Sequence, residues 1–456
     1  MCFHNKPSIL LMLCLSFLII SSSTAQPPPP PYNPYDSPPP FASASVDTFD
    51  FVNAGPFPPY RRGDYGSTFR ELERSASDFT MSLCFYNTTP NAYTLALGVD
   101  PSYFVWAANP SDPVKEGAKL SLKDDGNLVL VDVDGRLVWQ SNTSNMGVIG
   151  VQSLIYGQYG NMVLYDAHNN TVWQSFDHPT DTIFPNQFLR ATGPKKLVSR
   201  VSSLGGVYSL VLMPNRVSLY YKSANSSNPV VYYTMFKTTK TLSTLQFLAY
   251  DEFKPSFNQQ FTDGTQDRYE IGDLTPPADY HYEIITSFMR LQNDGNLKVI
   301  IYQINDEGDQ GWFPGFSVFK EDYAPLLTHQ VDSCLLPEKC GAFGVCQNST
   351  CVACPSPQGL LPWTAGKCVP PKLGACSLRK AAKYYKVQGV EHFSSMYNKG
   401  EGPMALALCQ SKCSLDCKCV GYFYHLENSR CWIAYDLMTL TKSGNPKHFG
   451  FIKTSN

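Results

Sequence analysis

The sequence lacks the features that mark several large classes of protein. Its 36 basic and 38 acidic residues leave a formal net charge of only -2. They form no basic run that could follow a phosphate backbone, so nucleic acid is not an expected partner. Beyond the N-terminus, no apolar run approaches the roughly 20 residues that a membrane-spanning helix needs, and the C-terminus lacks the hydrophobic tail of a lipid-anchor signal. We therefore expect no membrane anchor.

Catalytic and metal-binding motifs are also missing. None of the 8 histidines lies in a metal-ligand pair such as H-x-x-x-H, and neither a G-x-S-x-G motif nor a phosphate-binding glycine loop occurs. His178 lies in a turn-rich segment that suits a structural role. Asp124 and Asp125 fall at a hairpin, where solvation is the simplest explanation, whereas a glycosidase would need two carboxylates about 5 to 10 Å apart in a groove. The sequence thus predicts a protein that is not an enzyme and that uses no cofactor or metal.

By contrast, the N-terminus has the order of a secretory signal peptide. His4 and Lys6 precede a short apolar run (residues 9–20), and Ala25 then offers a small residue before a cleavage site. The run is too short to span a bilayer as a helix, and a signal anchor is the alternative. We expect residues 1–25 to be removed and the product to be secreted.

The next stretch, residues 26–45, begins with QPPPPPYNPYDSPPP. So many prolines exclude helix and sheet and favour the extended polyproline conformation. We interpret this stretch as a semi-rigid spacer, and contact with polymers of the cell wall is the alternative.

Cysteine usage agrees with export. Of the 15 cysteines, two lie in the signal peptide, and all the others except Cys84 crowd between residues 334 and 431. Closely spaced cysteines in a secreted chain predict disulfide frameworks. Cys351 and Cys354 also have the spacing of zinc ligands, but no second pair of this kind accompanies them. Cys84 is expected to be a buried free thiol, with an intermolecular bridge as the alternative.

Export also gives meaning to the N-glycosylation triplets Asn-x-Ser/Thr. A single triplet is weak evidence, but several in an exported chain predict glycans, and each glycan would mark a surface loop. The triplets begin at Asn87, Asn142, Asn169, Asn225 and Asn348.

The middle of the chain contains a repeat. LKDDGNLVLVDVDGRLVWQS (residues 122–141) is followed by YGQYGNMVLYDAHNNTVWQS (residues 156–175). In both copies apolar and polar residues alternate, glycine and asparagine stand at turn positions, and helical periodicity is absent. This pattern predicts short antiparallel strands joined by tight turns.

Three tryptophans recur at a similar spacing. Trp106 precedes Trp139 by 33 residues, and Trp173 follows after 34 more. Units of this size cannot bury their apolar faces alone, but three of them can share a core around a three-fold axis. The repetition therefore predicts an architecture before it predicts a function.

Alternation along a strand assigns each side chain to one face. Leu128 and Leu130 are expected in the core, whereas Asp125, Asn127 and Val129 are expected on the opposite, open face. A carboxylate, an amide and a small apolar group in line suit a sugar, because its hydroxyls need donors and acceptors while its C–H face needs apolar contact. The alternative is that Asp, Gly and Asn merely form the turn.

These residues resemble a known family. Their spacing matches the Q-x-D-x-N-x-V-x-Y line of the bulb-type mannose-binding lectins, and VWQSFDHPTDTIFP (residues 172–185) resembles the segment that closes this domain in S-locus glycoproteins and plant lectin receptor kinases. Three further segments resemble the epidermis-specific secreted glycoproteins of plants, and this resemblance extends over nearly the whole mature chain. They are LCFYNTTPNAYTLAL (residues 83–97), LYYKSANSSNPVVYYT (residues 219–234) and CVACPSPQGLLPW (residues 351–363).

The resemblance implies a fold dominated by β-structure, with four parts and no kinase. These parts are a β-prism domain of the bulb-type lectin class, a second, degenerate lectin-like β domain, a small disulfide-rich EGF-like module and an α+β PAN/apple module. RLQNDGNLKVIIY (residues 290–302) fits the second domain, because it carries another Asp-Gly-Asn-Leu unit. We expect the four parts at residues 46–195, 196–328, 329–371 and 372–456.

Three copies of the lectin line can be aligned, and none is complete. The first has Lys123, Asp125, Asn127, Val129 and Val131, the second has Gly157, Tyr159, Asn161, Val163 and Tyr165, and the third has Gln292, Asp294, Asn296, Lys298 and Ile300. The resemblance implies that the residues of the family's types bind carbohydrate, namely Asp125, Asn127, Val129, Asn161, Val163, Tyr165, Gln292, Asp294 and Asn296.

The resemblance also implies a disulfide pattern. In the EGF-like module it pairs Cys334 with Cys346, Cys340 with Cys351 and Cys354 with Cys368. In the PAN/apple module it pairs Cys409 with Cys431, Cys413 with Cys419 and Cys376 with Cys417.

Taken together, these features predict a secreted, non-enzymatic plant glycoprotein of the cell wall, apoplast or extracellular matrix. Its lectin-derived surface is expected to bind mannose-type glycans or wall polysaccharides. Because each copy of the line has lost part of the pattern, the binding is expected to be weak or to have altered mannose specificity. The alternative is a soluble partner of receptor-kinase ectodomains that acts through the EGF-like and PAN/apple modules.

Overall fold

The structure is a computed structural model, and it describes most of the chain between residues 44 and 454. The described residues are 44–45, 49–55, 66–74, 81–99, 103–155, 161–193, 195–200, 206–249, 254–274, 282–308, 310–321, 330–363, 368–374 and 382–454. The expected signal peptide lies outside them, as does the expected spacer except for its last two residues.

The first domain consists of short strands, because apolar and polar residues alternate over a few positions before turn residues end each run. Its strands are β1 (Ala44–Ser45), β2 (Asp50–Val52), β3 (Thr68–Arg74), β4 (Met81–Thr89), β5 (Ala92–Val99), β6 (Tyr103–Ala107), β7 (Lys119–Leu122), β8 (Leu128–Val131), β9 (Leu137–Gln140), β10 (Val148–Ile155), β11 (Asn161–Asp166) and β12 (Thr171–Gln174). They form three four-stranded sheets, in the orders β3-β4-β5-β6, β2-β7-β8-β9 and β1-β10-β11-β12. Each sheet joins three consecutive strands to one strand from the start of the domain.

The second domain repeats this topology strand for strand. Its strands are β13 (Thr182–Ile183), β14 (Phe188–Arg190), β15 (Lys196–Val198), β16 (Tyr208–Met213), β17 (Arg216–Tyr221), β18 (Val230–Lys237), β19 (Leu242–Leu248), β20 (Ser256–Phe261), β21 (Gln266–Glu270), β22 (Tyr282–Leu291), β23 (Leu297–Asn305) and β24 (Gln310–Ser317). Its sheets are β15-β16-β17-β18, β14-β19-β20-β21 and β13-β22-β23-β24, which is the same nested order as in the first domain. The expected second lectin-like domain is therefore present.

The predicted three-fold core of the first domain is confirmed. One tryptophan from each sheet meets the other two edge to face. The ring centroids of Trp106 and Trp139 are 5.8 Å apart, those of Trp106 and Trp173 are 6.0 Å apart, and those of Trp139 and Trp173 are 5.8 Å apart. Leu128 and Leu130 are fully buried in the same core. The repeated positions thus form the shared core of the domain.

The segment that joins the two lectin-like domains contributes strands to the sheets of the second domain. β13 pairs with β22, and β14 pairs with β19, so the chain enters the second domain before the expected boundary at residues 195 and 196. The reason is that each sheet of the second domain takes its fourth strand from the connecting segment. Likewise β1 pairs with β10, so the last residues of the expected spacer belong to the first domain.

A buried ion cluster joins the two domains. The Asp181 side chain has no exposure to solvent, Arg200 Nη2 lies 2.9 Å from its Oδ1, and Arg290 Nε lies 3.8 Å from its Oδ2. Arg290 lies in β22, and its Nη2 also donates to the carbonyl oxygen of Phe104 in β6 at 2.5 Å. One guanidinium therefore connects the Asp181 carboxylate to a sheet of the first domain.

The C-terminal region mixes strands with one helix among the described residues. Its elements are β25 (Val345–Gln347), β26 (Thr350–Ser356), β27 (Gly359–Pro362), β28 (Lys383–Gln388), β29 (Val390–His392), α1 (Leu406–Leu415), β30 (Gly421–His425), β31 (Arg430–Ala434), β32 (Leu440–Lys442) and β33 (His448–Thr454). The strands form the sheets β27-β26-β25-β32-β29 and β28-β33-β30-β31. Short 3₁₀ turns occur at Ser175–Asp177, Ser333–Leu335 and Phe393–Met396.

The expected boundary at residues 371 and 372 does not separate two independent modules. β25, in the expected EGF-like module, pairs in parallel with β32, in the expected PAN/apple module, and β32 in turn pairs with β29. Phe343 and Val345 pack in one core with Val387 and Phe423. A module as small as the EGF-like one buries too little apolar surface to form a core alone, and here it shares the core of its neighbour.

Five of the six expected disulfides are present. They are Cys334–Cys346, Cys340–Cys351, Cys354–Cys368, Cys409–Cys431 and Cys413–Cys419. Cys417 is also disulfide-bonded, whereas its expected partner Cys376 lies outside the described residues. Cys84 is a free thiol without exposure to solvent, and burial raises the pKa of this thiol, which disfavours the reactive thiolate.

The C-terminal region packs against the second lectin-like domain. The Tyr221 hydroxyl donates to Asp436 Oδ2 at 2.9 Å, and the Tyr221 and Phe393 ring centroids are 6.0 Å apart. Leu335 and Leu336 belong to the core of that domain. The described residues between 44 and 454 accordingly belong to one compact unit. Within the described ranges, no helix has the length and apolar character needed to cross a membrane.

Candidate functional site

The first copy of the lectin line occupies β8 and the turn that precedes it. Lys123 and Asp125 are exposed, and Val131 is half-buried. Asn127 is only 6% exposed and Val129 only 7%, which corrects the expectation that both stand on an open face. The reason is that β8 is an inner strand, so side chains of β7 and β9 lie beside its own on both sides.

The turn between β7 and β8 explains part of the sequence pattern. Gly126 has a φ of +84°, and a Cβ at this position would lie 2.9 Å from the Val148 Cβ, so only glycine fits. Asp125 Oδ1 accepts a hydrogen bond from the Asn127 backbone N–H at 3.0 Å. Gly295, in the third copy, has a similar φ of +85°. The Asp-Gly-Asn unit is therefore a turn former in its own right, as one of the two interpretations predicted.

The Asn127 side chain fastens this hairpin to the segment that follows. Its Nδ2 donates to Gln140 Oε1 at 2.8 Å, while its Oδ1 accepts from the Ser141 hydroxyl and from the Thr143 backbone N–H, both at 3.1 Å. An amide offers two N–H donors and two acceptor lone pairs. Three of these four positions are used within the domain, and the second donor has no partner among the described residues.

The second copy repeats this arrangement. Asn161 Nδ2 donates to Gln174 Oε1 at 2.8 Å, and Asn161 Oδ1 accepts from the Ser175 hydroxyl and from the Phe176 backbone N–H, both at 3.1 Å. The repeated sequence therefore produces a repeated hydrogen-bond network, and within the described part of the chain this amide too uses one of its two donors.

The other members of the second copy differ in exposure. Val163 is 8% exposed and Tyr165 is half-buried, whereas Gly157 and Tyr159 lie outside the described residues. Tyr165 is the position at which the family's tyrosine is kept. Its phenol lies on the same strand as Asn161, so β11 carries an amide, a small apolar side chain and a hydroxyl in line.

In the third copy of the lectin line, neighbouring residues cover the asparagine and block access to it. Asn296 is 1% exposed, its Nδ2 donates to the Phe319 carbonyl oxygen at 3.1 Å, and its Oδ1 accepts from the Phe319 N–H at 3.1 Å. Lys298 forms an ion pair with Glu321. Ile300 is 4% exposed and belongs to the core of the first domain. A sugar could reach Asn296 only by displacing these contacts.

The rim of the third copy has a charged lining. Gln292 is half-buried, and Asp294 is exposed. Asp294 and Asn296 line a cavity of about 290 Å³ together with Lys320, Glu321, Glu338 and Lys339. Burial raises the pKa of the Glu338 carboxyl. The EGF-like module thus covers the third copy with charged groups.

Two glutamines outside the lectin line each occupy one donor of an asparagine within it. Gln140 and Gln174 end β9 and β12, and each accepts from the asparagine of its own copy. The lectin line does not include them. Their signal in the sequence is the repeated Trp-Gln-Ser triplet, which places a glutamine next to each of two core tryptophans.

His178 has a structural role in the first domain. Its ring stacks on Trp173 with centroids 5.3 Å apart, and its carbonyl oxygen accepts from Trp106 Nε1 at 2.9 Å. Burial lowers the pKa of its imidazole, so the ring is neutral near pH 7. The residue therefore supports the tryptophan core, as the sequence predicted.

The N-glycosylation triplets differ in their surroundings. Asn142, Asn169 and Asn348 are exposed, and each has a positive φ. Asn225 is exposed as well, but its Nδ2 already donates to the PAN/apple module. Asn87 is half-buried at the end of β4. The first three side chains are therefore exposed to solvent, where a glycan can be attached.

We expect glycans on Asn142, Asn169 and Asn348 when the chain is secreted from plant cells. Replacing each of them by glutamine should remove the mass of one glycan from the intact protein, as measured by mass spectrometry before and after treatment with a peptide N-glycosidase. Asn87→Gln serves as the control and should leave the glycan mass unchanged. A secreted product with the mass of the bare polypeptide would contradict this expectation.

Comparison with known proteins agrees with this architecture. The family model of the D-mannose binding lectins matches residues 103–204. A distant relative is the putative receptor protein kinase ZmPK1 of Zea mays, to which the chain is 27% identical over 385 residues, with 78% of this chain and 43% of the kinase covered.

Two relatives are matched over most of their length. The chain is 39% identical over 421 residues to EP1-like glycoprotein 4 of Arabidopsis thaliana, with 90% of this chain and 92% of that protein covered. It is also 39% identical over 367 residues to the epidermis-specific secreted glycoprotein EP1 of Daucus carota, with 75% and 92% covered. Given this identity across the lectin-like domains and the disulfide-rich region, the chain belongs to the EP1-like family of epidermis-specific secreted glycoproteins.

Proposed function

We propose that the chain is secreted to the cell wall or extracellular matrix and acts there as a non-enzymatic glycoprotein that binds glycans weakly or with altered mannose specificity. Its kinship with secreted glycoproteins supports export, and the bulb-type lectin domain supports a sugar as the ligand. The candidate surface comprises Asp125, Asn127 and Val129 in the first copy and Asn161, Val163 and Tyr165 in the second. In the third copy, Gln292, Asp294 and Asn296 contribute least to sugar binding, because neighbouring residues cover this copy.

The use of the asparagine amides is the observation that carries this proposal. In both copies of the first domain, three of the four hydrogen-bonding positions of the amide hold the hairpin together. In the first copy, Lys123 replaces the family's glutamine and can only donate, and Val131 has no hydroxyl. A mannose residue would therefore meet fewer partners here than on a complete lectin line.

The magnitudes explain why these losses matter. A one-sugar site of millimolar affinity has only about 4 kcal/mol of binding free energy, and each missing hydrogen bond removes roughly 0.5 to 1.5 kcal/mol. Loss of two contacts weakens a single site to about tens of millimolar or beyond. Useful binding then requires several sites that engage one polymer at once.

Restoring the family's residues should restore mannose binding in the first copy. We expect the double substitution Lys123→Gln, Val131→Tyr to raise mannose affinity roughly ten- to thirtyfold, because the amide regains an acceptor and the phenol regains a hydroxyl, each at about 1 kcal/mol. Titration calorimetry with mannose and retention on a mannan column measure the change.

The matched control keeps the size of both side chains but omits their hydrogen-bonding groups. Lys123→Met, Val131→Phe should bind mannose no better than the parent. A gain in both variants would indicate a general effect of the larger apolar surface. If the folded Gln/Tyr variant binds mannan no better than the parent, the face of β8 is not a dormant mannose site.

A second candidate function is that of a soluble partner of receptor-kinase ectodomains. The shared sheet favours it, because this sheet holds the EGF-like and PAN/apple modules in one fixed orientation. A cleft of about 500 Å³ lies between the PAN/apple module and the second lectin-like domain, and its walls include Tyr397, Trp432 and Tyr435. Tyrosine and tryptophan are enriched at protein interfaces.

Binding assays with receptor ectodomains and with mannan distinguish the two candidates. Lys399 is exposed at the cleft, so Lys399→Glu should weaken binding to an ectodomain and leave retention on mannan unchanged. Lys196→Glu, at an exposed position in β15, is the charge-matched control. If no lectin receptor ectodomain binds the parent chain, the second candidate fails and the first is unaffected.

A further inference from the structure

A cluster of imidazole and carboxylate side chains lies in the PAN/apple module. His425 at the end of β30 is directly opposite His448 at the start of β33. Glu391 of β29 lies beside them, and one potential ligand atom from each of these three residues falls within 4.8 Å of the other two. Glu427, in the turn between β30 and β31, contacts the same His448 ring. We call these four residues the histidine cluster.

The His448 ring lies between two carboxylates. Its Nδ1 contacts Glu391 Oε1, and its Nε2 contacts Glu427 Oε1. A neutral imidazole has one N–H donor, so it can satisfy only one of these carboxylates. The second contact requires a cation, either another proton on the ring or a metal ion in its place. The hydroxyl of Ser443 and the amide of Asn445 each lie 3.1 Å from a ring nitrogen and help to hold the ring.

His425 provides an independent observation. The residue is 8% exposed, and its Nε2 is buried without a hydrogen-bond partner among the described residues. Its ring stacks on that of His448 with centroids 3.5 Å apart. A buried polar nitrogen without a partner is destabilising. A proton on this nitrogen would only turn an acceptor that lacks a donor into a donor that lacks an acceptor, so protonation does not remove the deficit.

We propose that Glu391, His425 and His448 bind a divalent transition-metal ion, with Zn²⁺ as the expected ion. Two neutral imidazoles and a carboxylate form a donor set that Zn²⁺ accepts. Glu427 then holds His448 through its other ring nitrogen, in the carboxylate–histidine–metal arrangement. The two carboxylates also balance the charge of a divalent ion. A metal must lie near the plane of each imidazole that binds it, so the stack of His425 on His448 opens when the ion enters.

Zinc titration of the full-length secreted chain tests this site. The protein carries no histidine tag and is first stripped with a chelator, and ZnCl₂ is then titrated by calorimetry. We expect one equivalent to bind. His448→Gln and Glu391→Gln should each weaken that binding more than about 100-fold, whereas Glu427→Gln, which removes only the orienting carboxylate, should weaken it about 10- to 100-fold.

Two controls separate this site from other effects. His168 is an exposed histidine of the first domain, and His168→Gln should leave zinc affinity unchanged. The Trp432 ring lies 4.3 Å from that of His425, so Cu²⁺, which binds such sites more tightly than Zn²⁺, should quench its fluorescence. This quenching should disappear in Trp432→Phe, while circular dichroism verifies that each variant is folded.

The outcomes are distinct from those of the mannose experiment. Removal of the metal should leave retention on mannan unchanged, because the histidine cluster lies outside the lectin-like domains. The metal site is excluded if the stripped parent chain binds no Zn²⁺ at millimolar concentration. It is also excluded if folded His448→Gln and Glu391→Gln bind Zn²⁺ as tightly as the parent does.

Discussion

Replacing Asp181 by alanine should destabilise the protein by about 3 to 5 kcal/mol. The carboxylate is fully buried and compensates the guanidinium groups of Arg200 and Arg290, which are themselves almost completely buried. Its removal takes away a carboxylate that both buried guanidinium groups contact, and loss of one member of a buried ion pair costs far more than loss of an ion pair in water. The effect is large because one side chain serves both cations.

Urea denaturation followed by tryptophan fluorescence measures this loss. Asp263→Ala is the control, because Asp263 also pairs with a cation, Lys240, but at the surface, where an ion pair contributes little. Arg290 also donates to the carbonyl oxygen of Phe104 in the first domain. The substitution should therefore also destabilise the junction between the two lectin-like domains. If Asp181→Ala is no less stable than Asp263→Ala, the buried cluster does not hold this junction.

The disulfide between α1 and β31 should have the second large effect. Cys409–Cys431 has a sequence separation of 22, and Cys413–Cys419 has one of 6. In the chain-entropy model, the longer loop contributes roughly 3 to 4 kcal/mol and the shorter one roughly 2 kcal/mol. Replacing Cys409 and Cys431 together by alanine should therefore cost more stability than the same change at Cys413 and Cys419. Denaturation of the two double variants under identical conditions gives the comparison.

The prediction also specifies which residues should become less protected when Cys409–Cys431 is removed. β25 of the EGF-like module pairs with β32 of the PAN/apple module, so loosening the PAN/apple module should also expose the backbone of β25. Among the described strands, none of the first lectin-like domain pairs with a strand of this region. Hydrogen exchange should therefore increase in residues 345–347 and remain low in residues 128–131. Unchanged exchange in β25, or equal costs for the two disulfides, would contradict this account.

Short-range patterns in the sequence predicted the elements of this fold well. A strand alternates its side chains between two faces, so the sequence pattern alone assigns Leu128 and Leu130 to the core. The positive φ of Gly126 follows from the Asp-Gly-Asn turn, which acts over three residues. The spacing of Trp106, Trp139 and Trp173 predicted a shared core, because equivalent positions in repeated units meet at the axis that relates them.

Predictions that depended on how elements pair were less successful. The expected boundary at residues 195 and 196 did not anticipate that β13 and β14, which precede it, complete sheets whose other strands come much later in the chain. The boundary at residues 371 and 372 was misleading because β25 pairs with β32, almost 100 residues away. Composition changes mark linkers, but they do not reveal which distant strand a short segment joins.

The exposure of the lectin line could not be predicted for a similar reason. Alternation places Asn127 on the face opposite Leu128, but it does not show whether another side chain covers that face. Asn127 bonds to Gln140, and Asn296 bonds to Phe319. Both partners lie outside the lectin line. Burial of a side chain depends on its neighbours in space, and the line contains only neighbours along the strand.

The sequence by itself determined the strand-and-turn pattern, the three-fold tryptophan core, the disulfide-rich C-terminal region and, through resemblance, the family. These properties arise from interactions over a few residues or from the repetition of one unit. Only the tertiary structure decided which amides remain open to a sugar, how the EGF-like and PAN/apple modules share a sheet, and that Glu391, His425 and His448 meet. These three residues follow no short motif, because three separate strands bring them together.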